Sequence, residues 1–142
     1  MKRGFTLLEL IIVIIIIGVL ATLGFASYGR LVEGSRGAEA RDVIGAMRKM
    51  AYAYYLKNGD DLTGVADDDL SLGAGIPTAC AGTHYFYYAF TPGAGTSDIT
   101  FTANRCGGGG KDPDAPADVP NAVQLATDYV TGGDVWSTVA PY

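Results

Sequence analysis

The sequence predicts an α+β fold in which a long N-terminal α-helix, membrane-spanning at first and amphipathic beyond, packs on a four-stranded antiparallel β-sheet. Three observations predict it. From Leu10 to Gly29 there is no charged side chain. Beyond that block, apolar residues recur at spacings of three and four, with no proline, as far as Asn58-Gly59. The second half then holds two pairs of strand-like runs, each pair split by turn residues. A chain of 142 residues has room for one modest domain.

The apolar block is long enough to cross a bilayer, because its 20 residues make a helix of roughly 30 Å at about 1.5 Å per residue. Ile11, Ile12, Ile14, Ile15, Ile16 and Ile17 are poor helix formers in water. In lipid every backbone N–H and C=O must be satisfied within the segment, which leaves helix as the one choice. Lys2 and Arg3 keep the start of the segment cytoplasmic by the positive-inside rule, so the remainder lies outside the inner membrane. Charge and hydropathy alone leave two readings open: a retained anchor, or a secretory signal removed after Gly24-Phe25-Ala26 to release a binding module beginning at Ser27. Glu9 favours the anchor, since a carboxylate beside the apolar run costs insertion energy and needs a role to offset it. One role is to cap its own helix N-terminus, where the macrodipole favours a negative group.

In the amphipathic stretch, Ala40, Val43, Ile44, Met47, Met50, Ala51 and Tyr54 form one face, with Arg41, Asp42, Arg48 and Lys49 on the other. The helix should end near Tyr55 or Lys57, at Asn58-Gly59. Asp60 to Ala79 reads as a connecting loop with a short turn near Asp67-Asp68-Asp69-Leu70. Asp60, Asp61, Asp67, Asp68 and Asp69 offer oxygens to a hard cation, but their spacing matches no EF-hand, and a solvated acidic loop accounts for them; no metal is expected.

His84 to Phe90 and Asp98 to Ala103 flank Pro92-Gly93-Ala94-Gly95 as a first hairpin, with Ile99, Phe101 and Ala103 facing the helix. Val123 to Tyr129 and Val135 to Thr138 flank Thr131-Gly132-Gly133-Asp134 as a second. Gly107 to Gly110 and the residues up to Asp118 read as a flexible, exposed connection, and the tetraglycine lacks the context of a phosphate loop. Tyr85, Tyr87 and Tyr88 divide between core and surface, the surface ones being available for stacking or subunit contacts. Cys80 and Cys106 lie at the two ends of the first hairpin, where a disulfide is geometrically natural; free buried thiols are the alternative. With a single histidine, His84, no Ser-His-Asp or Cys-His constellation can be drawn, and neither an enzyme nor a cofactor is predicted. The formal charge of −5 argues against direct nucleic-acid binding.

The run Gly4-Phe5-Thr6-Leu7-Leu8-Glu9-Leu10-Ile11-Ile12-Val13, followed by Ile-rich sequence and Gly18-Val19-Leu20-Ala21, resembles the N-terminal signature of type IV pilins and type II secretion pseudopilins. The resemblance implies a short basic leader, residues 1–4, cut by a prepilin peptidase between Gly4 and Phe5, with methylation of the new Phe5 amine. It implies a membrane and filament-core helix over residues 5–29, its amphipathic half over 30–58, and an αβ loop with a sheet domain over 59–142. Glu9 would then pair with the Phe5 amine of a neighbouring subunit and set the axial register. The implied partners are membrane lipid before assembly, the peptidase, an inner-membrane assembly platform, and other copies of the chain or other pilins. The implied destination is an extracellular pilus or a periplasmic pseudopilus. Ala26 departs from the pattern, because many pilins carry proline there. The cysteine pair resembles the family's C-terminal clasp, although it lies earlier in the chain than is usual.

Overall fold

The computed structural model of the chain describes residues 6–70, 75–112 and 122–138. Helix α1 runs Leu7–Lys57. A 3₁₀ turn follows at Asp67–Leu70, then strands β1 (Phe86–Pro92), β2 (Asp98–Arg105), β3 (Ala122–Asp128) and β4 (Gly133–Thr138). The sheet order is β1-β2-β3-β4 and every neighbouring pair is antiparallel. The α+β prediction holds. Two compact units divide the chain, Met1–Ser35 and Arg36–Tyr142.

In the first unit, Leu7–Phe25 has a mean hydropathy of 2.8 and none of it is buried. By length and composition it can cross a membrane. Thr22 donates its hydroxyl to the Val19 carbonyl at 2.8 Å, which satisfies the polar side chain within the helix and makes it tolerable in an apolar medium.

In the second unit the α1 face formed by Ala40, Ile44, Met47, Ala51 and Tyr55 is buried, and Val43, Met50 and Tyr54 pack beside it. The helix stops because Gly59 takes φ 71°, a conformation that costs glycine little. The Asp60 N–H then donates back to the Tyr55 carbonyl at 2.9 Å, the six-to-one bond of a Schellman stop. The acidic loop is held by its own main chain: the Thr63 N–H donates to Asp61 Oδ1 at 2.7 Å and the Ala66 N–H to Asp69 Oδ2 at 3.0 Å. Among the described residues no group of three or more His, Cys, Asp or Glu side chains could hold a metal.

Strand β2 alternates strictly, with Ile99, Phe101, Ala103 and Arg105 buried. Val123, Leu125 and Thr127 continue the buried face on β3. The first hairpin begins at Phe86, two residues later than the aromatic run suggests, because His84 and Tyr85 spend their carbonyls on the loop beyond β2, on Lys111 and Cys106 respectively. The second turn lies earlier than expected, so that Gly133 and Asp134 belong to β4. Asp128 sets it: its carboxylate accepts from the Val130 N–H at 2.9 Å and the Thr131 hydroxyl at 2.6 Å.

Tyr88, in the core, and Tyr129, half-buried against it, make the second unit sensitive to alkali. Burial pushes the Tyr88 phenol up to about 12, with the Glu39 carboxylate adding to the rise. Burial also pushes Tyr129 up to about 12, aided by Asp134 and opposed by the Arg48 guanidinium. A raised folded pKa means that the fold favours the neutral phenol. Its contribution is complete below the unfolded value of 10.0 and is lost as pH rises towards about 12. Tyrosinate absorbance and circular dichroism recorded together should show the second unit unfolding within that window, with Tyr88→Phe and Tyr129→Phe shifting the transition to higher pH.

Candidate functional site

The N-terminal end of α1 is built by Thr6 and Glu9. The Glu9 N–H donates to Thr6 Oγ1 at 3.3 Å, while Glu9 Oε2 accepts from the Thr6 N–H at 3.2 Å and from the Thr6 hydroxyl at 3.1 Å. This is a reciprocal capping box, which satisfies backbone donors that the first turn of a helix leaves without partners. It places the carboxylate at the positive end of the helix macrodipole and keeps it exposed. Thr-x-x-Glu before an apolar run is the sequence pattern of this box, and Thr6 and Glu9 stand at that spacing. Gly4 and Phe5 lie outside the described residues.

Below the cap the site is a wall of unburied aliphatic side chains: Leu8, Leu10, Ile14, Ile17, Leu20 and Leu23 are each more than half exposed. At about 25 cal/mol per Å² such a surface cannot stay in water.

The cysteine pair sits in the second unit. Cys80 and Cys106 form a disulfide with their Cα atoms 5.6 Å apart, the Cys80 end exposed and Cys106 fully buried. The stretch after Cys106, read from sequence as a flexible exposed linker, instead folds back as far as Asp112. A Cβ on Gly110 would lie 2.4 Å from Cys106 Cβ, so only glycine permits the chain to close over the disulfide. The turn returns Lys111 and Asp112 to the start of β1, where the Lys111 N–H donates to the His84 carbonyl at 2.9 Å.

There the Tyr85 ring is enclosed by three cations: the Arg36 guanidinium at 4.4 Å from its centroid, Lys111 Nζ at 4.7 Å and Arg105 at 5.3 Å. Asp112 Oδ2 holds Arg36 at 2.6 Å and Arg105 at 3.5 Å. Arg105 is buried, and donates to the carbonyls of Tyr85 and Cys106, each at 3.1 Å. Tyr85 is therefore engaged in cation–π packing that fastens the loop. It is not a surface ring left open for stacking. Sequence alone gives no signal for Arg105, because an arginine ending a strand ordinarily reads as solvated.

Residues 1–25 match the family model of the prokaryotic N-terminal methylation motif. Thr6, Glu9 and most of the apolar helix fall within it. Over 58 residues the chain is 40% identical to the fimbrial protein EcpC of Eikenella corrodens. That stretch is 41% of this chain and 38% of the relative, so the chain matches well under half of the relative's length. No solved structure matches the chain. The methylation motif and the fimbrial relative are consistent with the type IV pilin family.

Proposed function

We propose that the chain is a structural subunit of a type IV pilus filament. A prepilin peptidase removes residues 1–4 by cutting between Gly4 and Phe5 and methylates the Phe5 amine. Lipid holds the mature helix in the inner membrane, with the second unit outside the cytoplasm, until an assembly platform moves it into a polymer. In the polymer the Glu9 carboxylate of one subunit pairs with the Phe5 ammonium of its neighbour.

One observation carries this reading: an exposed carboxylate stands at the head of an unburied apolar helix within the methylation motif. Such a helix can be buried in two successive apolar surroundings, lipid and then a bundle of its own kind. Transfer between them gains little hydrophobic energy, because lipid tails are about as apolar as leucine. The ion pair supplies the directional attraction that bare hydrophobicity lacks. The fimbrial description of EcpC favours a pilus over a secretion pseudopilus.

The test is the mass of the mature protein and the composition of shed filaments. A chain that begins at N-methyl-Phe5 and is recovered from filaments is expected. A mature chain that begins at Ser27 would show instead a module released by signal peptidase, and the filament role would be wrong.

A further inference from the structure

Tyr88 is 6% exposed, yet among the described residues its hydroxyl has no hydrogen-bond partner. The hydroxyl is not sealed in, because no polar side-chain atom of the described residues is both fully buried and unpartnered. It opens on a cavity. Two adjoining hollows of about 230 and 250 Å³ share Tyr88 and Ile76, and together they form a trough between α1 and β1. Glu39 lines one hollow and Met47 the other. Those residues are two helical turns apart, roughly 12 Å at about 1.5 Å per residue. Carboxylates stand at both ends: Asp67 and Asp68 beside Met47, and Glu39, with His84, at the far end. Val43, Ile76, Phe86 and Phe90 make the walls between them apolar, and neither lysine nor arginine lines the trough among the described residues. Nor do Glu39 and Asp67 make a hydrogen bond or an ion pair with any described residue. Glu39 is near enough to the Tyr88 phenol to add to the rise in its pKa.

We propose that this trough binds a linear aliphatic polyamine, its terminal ammonium groups at Glu39 and at Asp67 and Asp68, and an inner amine at the Tyr88 hydroxyl. The site stands apart from the filament reading. Its charge selects a cation, and its length selects the kind of cation. A metal ion is the wrong occupant, because no group of three His, Cys, Asp or Glu side chains among the described residues could hold one. A compact organic cation would satisfy one end of the trough and leave the carboxylate at the other unmatched. A polyamine carries charge at both ends and methylenes between, which is the pattern of the walls. Its inner ammonium donates to the Tyr88 hydroxyl oxygen and supplies the partner that this side chain lacks within the chain. Ring faces of Tyr88 and Phe86 beside an ammonium add cation–π attraction.

Spermidine is to be titrated calorimetrically into the full chain in a nonionic detergent at low salt. Saturable binding to a single site per chain is expected. Tyr88→Phe keeps the ring and its packing, and should weaken binding about fivefold. Asp67→Asn combined with Asp68→Asn should weaken it about tenfold, and Glu39→Gln about threefold. Diaminopropane, too short to reach both ends, should bind about tenfold more weakly than spermidine. Asp60→Asn removes a charge that does not line the trough and should leave the affinity unchanged. Absence of saturable binding overturns the proposal. So does an affinity that Tyr88→Phe leaves intact, or that Asp60→Asn lowers as much as Glu39→Gln does, since diffuse attraction to an acidic protein would then suffice. If spermidine does not bind and the trough variants instead separate dimers of the chain, a neighbouring copy's basic side chain fills the trough, and the polyamine assignment is wrong.

Discussion

Glu9→Gln is expected to abolish filaments while leaving the chain in the membrane at its normal level. Glutamine is chosen because it separates the two roles the carboxylate can play. An amide oxygen still accepts from Thr6, so the capping box survives, as it does in the Gln form of that motif. What disappears is the charge. With no carboxylate opposite, the Phe5 ammonium of the neighbour enters the apolar core unpaired, and breaking a buried pair in this way costs about 3 to 5 kcal/mol. Even the lower figure weakens incorporation of each subunit by more than a hundredfold, on the scale of about 1.4 kcal/mol per factor of ten. Insertion should be unaffected or eased, since a charge has been removed from the edge of the span.

Thr6→Val completes the comparison. It removes the cap and keeps the charge, at a cost of about 1 kcal/mol to the first turn. Filaments should persist in reduced number. Membrane fractions probed for the chain, together with filament counts, measure both effects. Normal filament numbers in Glu9→Gln would mean that the carboxylate acts through the cap alone.

The parts of this fold that were legible in the sequence are those set by local pattern. Ala40, Ile44, Met47 and Ala51 repeat with the helical period, and nothing distant is needed to see which face they share. Ile99, Phe101 and Ala103 alternate with threonine and asparagine, so β2 declares both its conformation and its buried side. The parts that were not legible depend on residues far apart in the chain. Arg36 and Asp112 are 76 positions apart, and Arg48 and Asp134 are 86 apart. Tyr85 looks like one more aromatic in a strand until Arg36, Arg105 and Lys111 are brought around it. The tetraglycine shows the converse failure. Local composition said flexible, whereas Gly110 is required because the chain passes too close to Cys106 for any side chain. At the N-terminal site the Thr6–Glu9 box is within reach of local pattern, because both partners lie within the first turn of one helix.

Loss of the Cys80–Cys106 bond is expected to destabilise the second unit by about 3.5 kcal/mol, the chain-entropy value for a sequence separation of 26. The suitable variant is Cys80→Ser with Cys106→Ala. Cys80 is exposed and tolerates a hydroxyl, whereas Cys106 is fully buried and a serine there would need a hydrogen-bond partner. The effect should reach beyond the two sulfurs. Gly110 closes over Cys106, and the turn it completes brings Lys111 and Asp112 to Tyr85, Arg36 and Arg105. With the bond gone, the chain on both sides of the hairpin gains freedom, and the cation cage must hold the loop by itself. Cation–π contacts of roughly 0.5 to 2 kcal/mol each are too weak to replace a covalent link. The measurement is urea unfolding of the full chain in detergent, followed through Trp136, the single tryptophan. The midpoint should fall by about 1 to 3 M, and reduction of the wild-type chain should reproduce most of that shift. A midpoint displaced by only a few tenths of a molar unit would show that the Arg105 and Tyr85 contacts, and not the disulfide, fasten the hairpin to the loop beyond it.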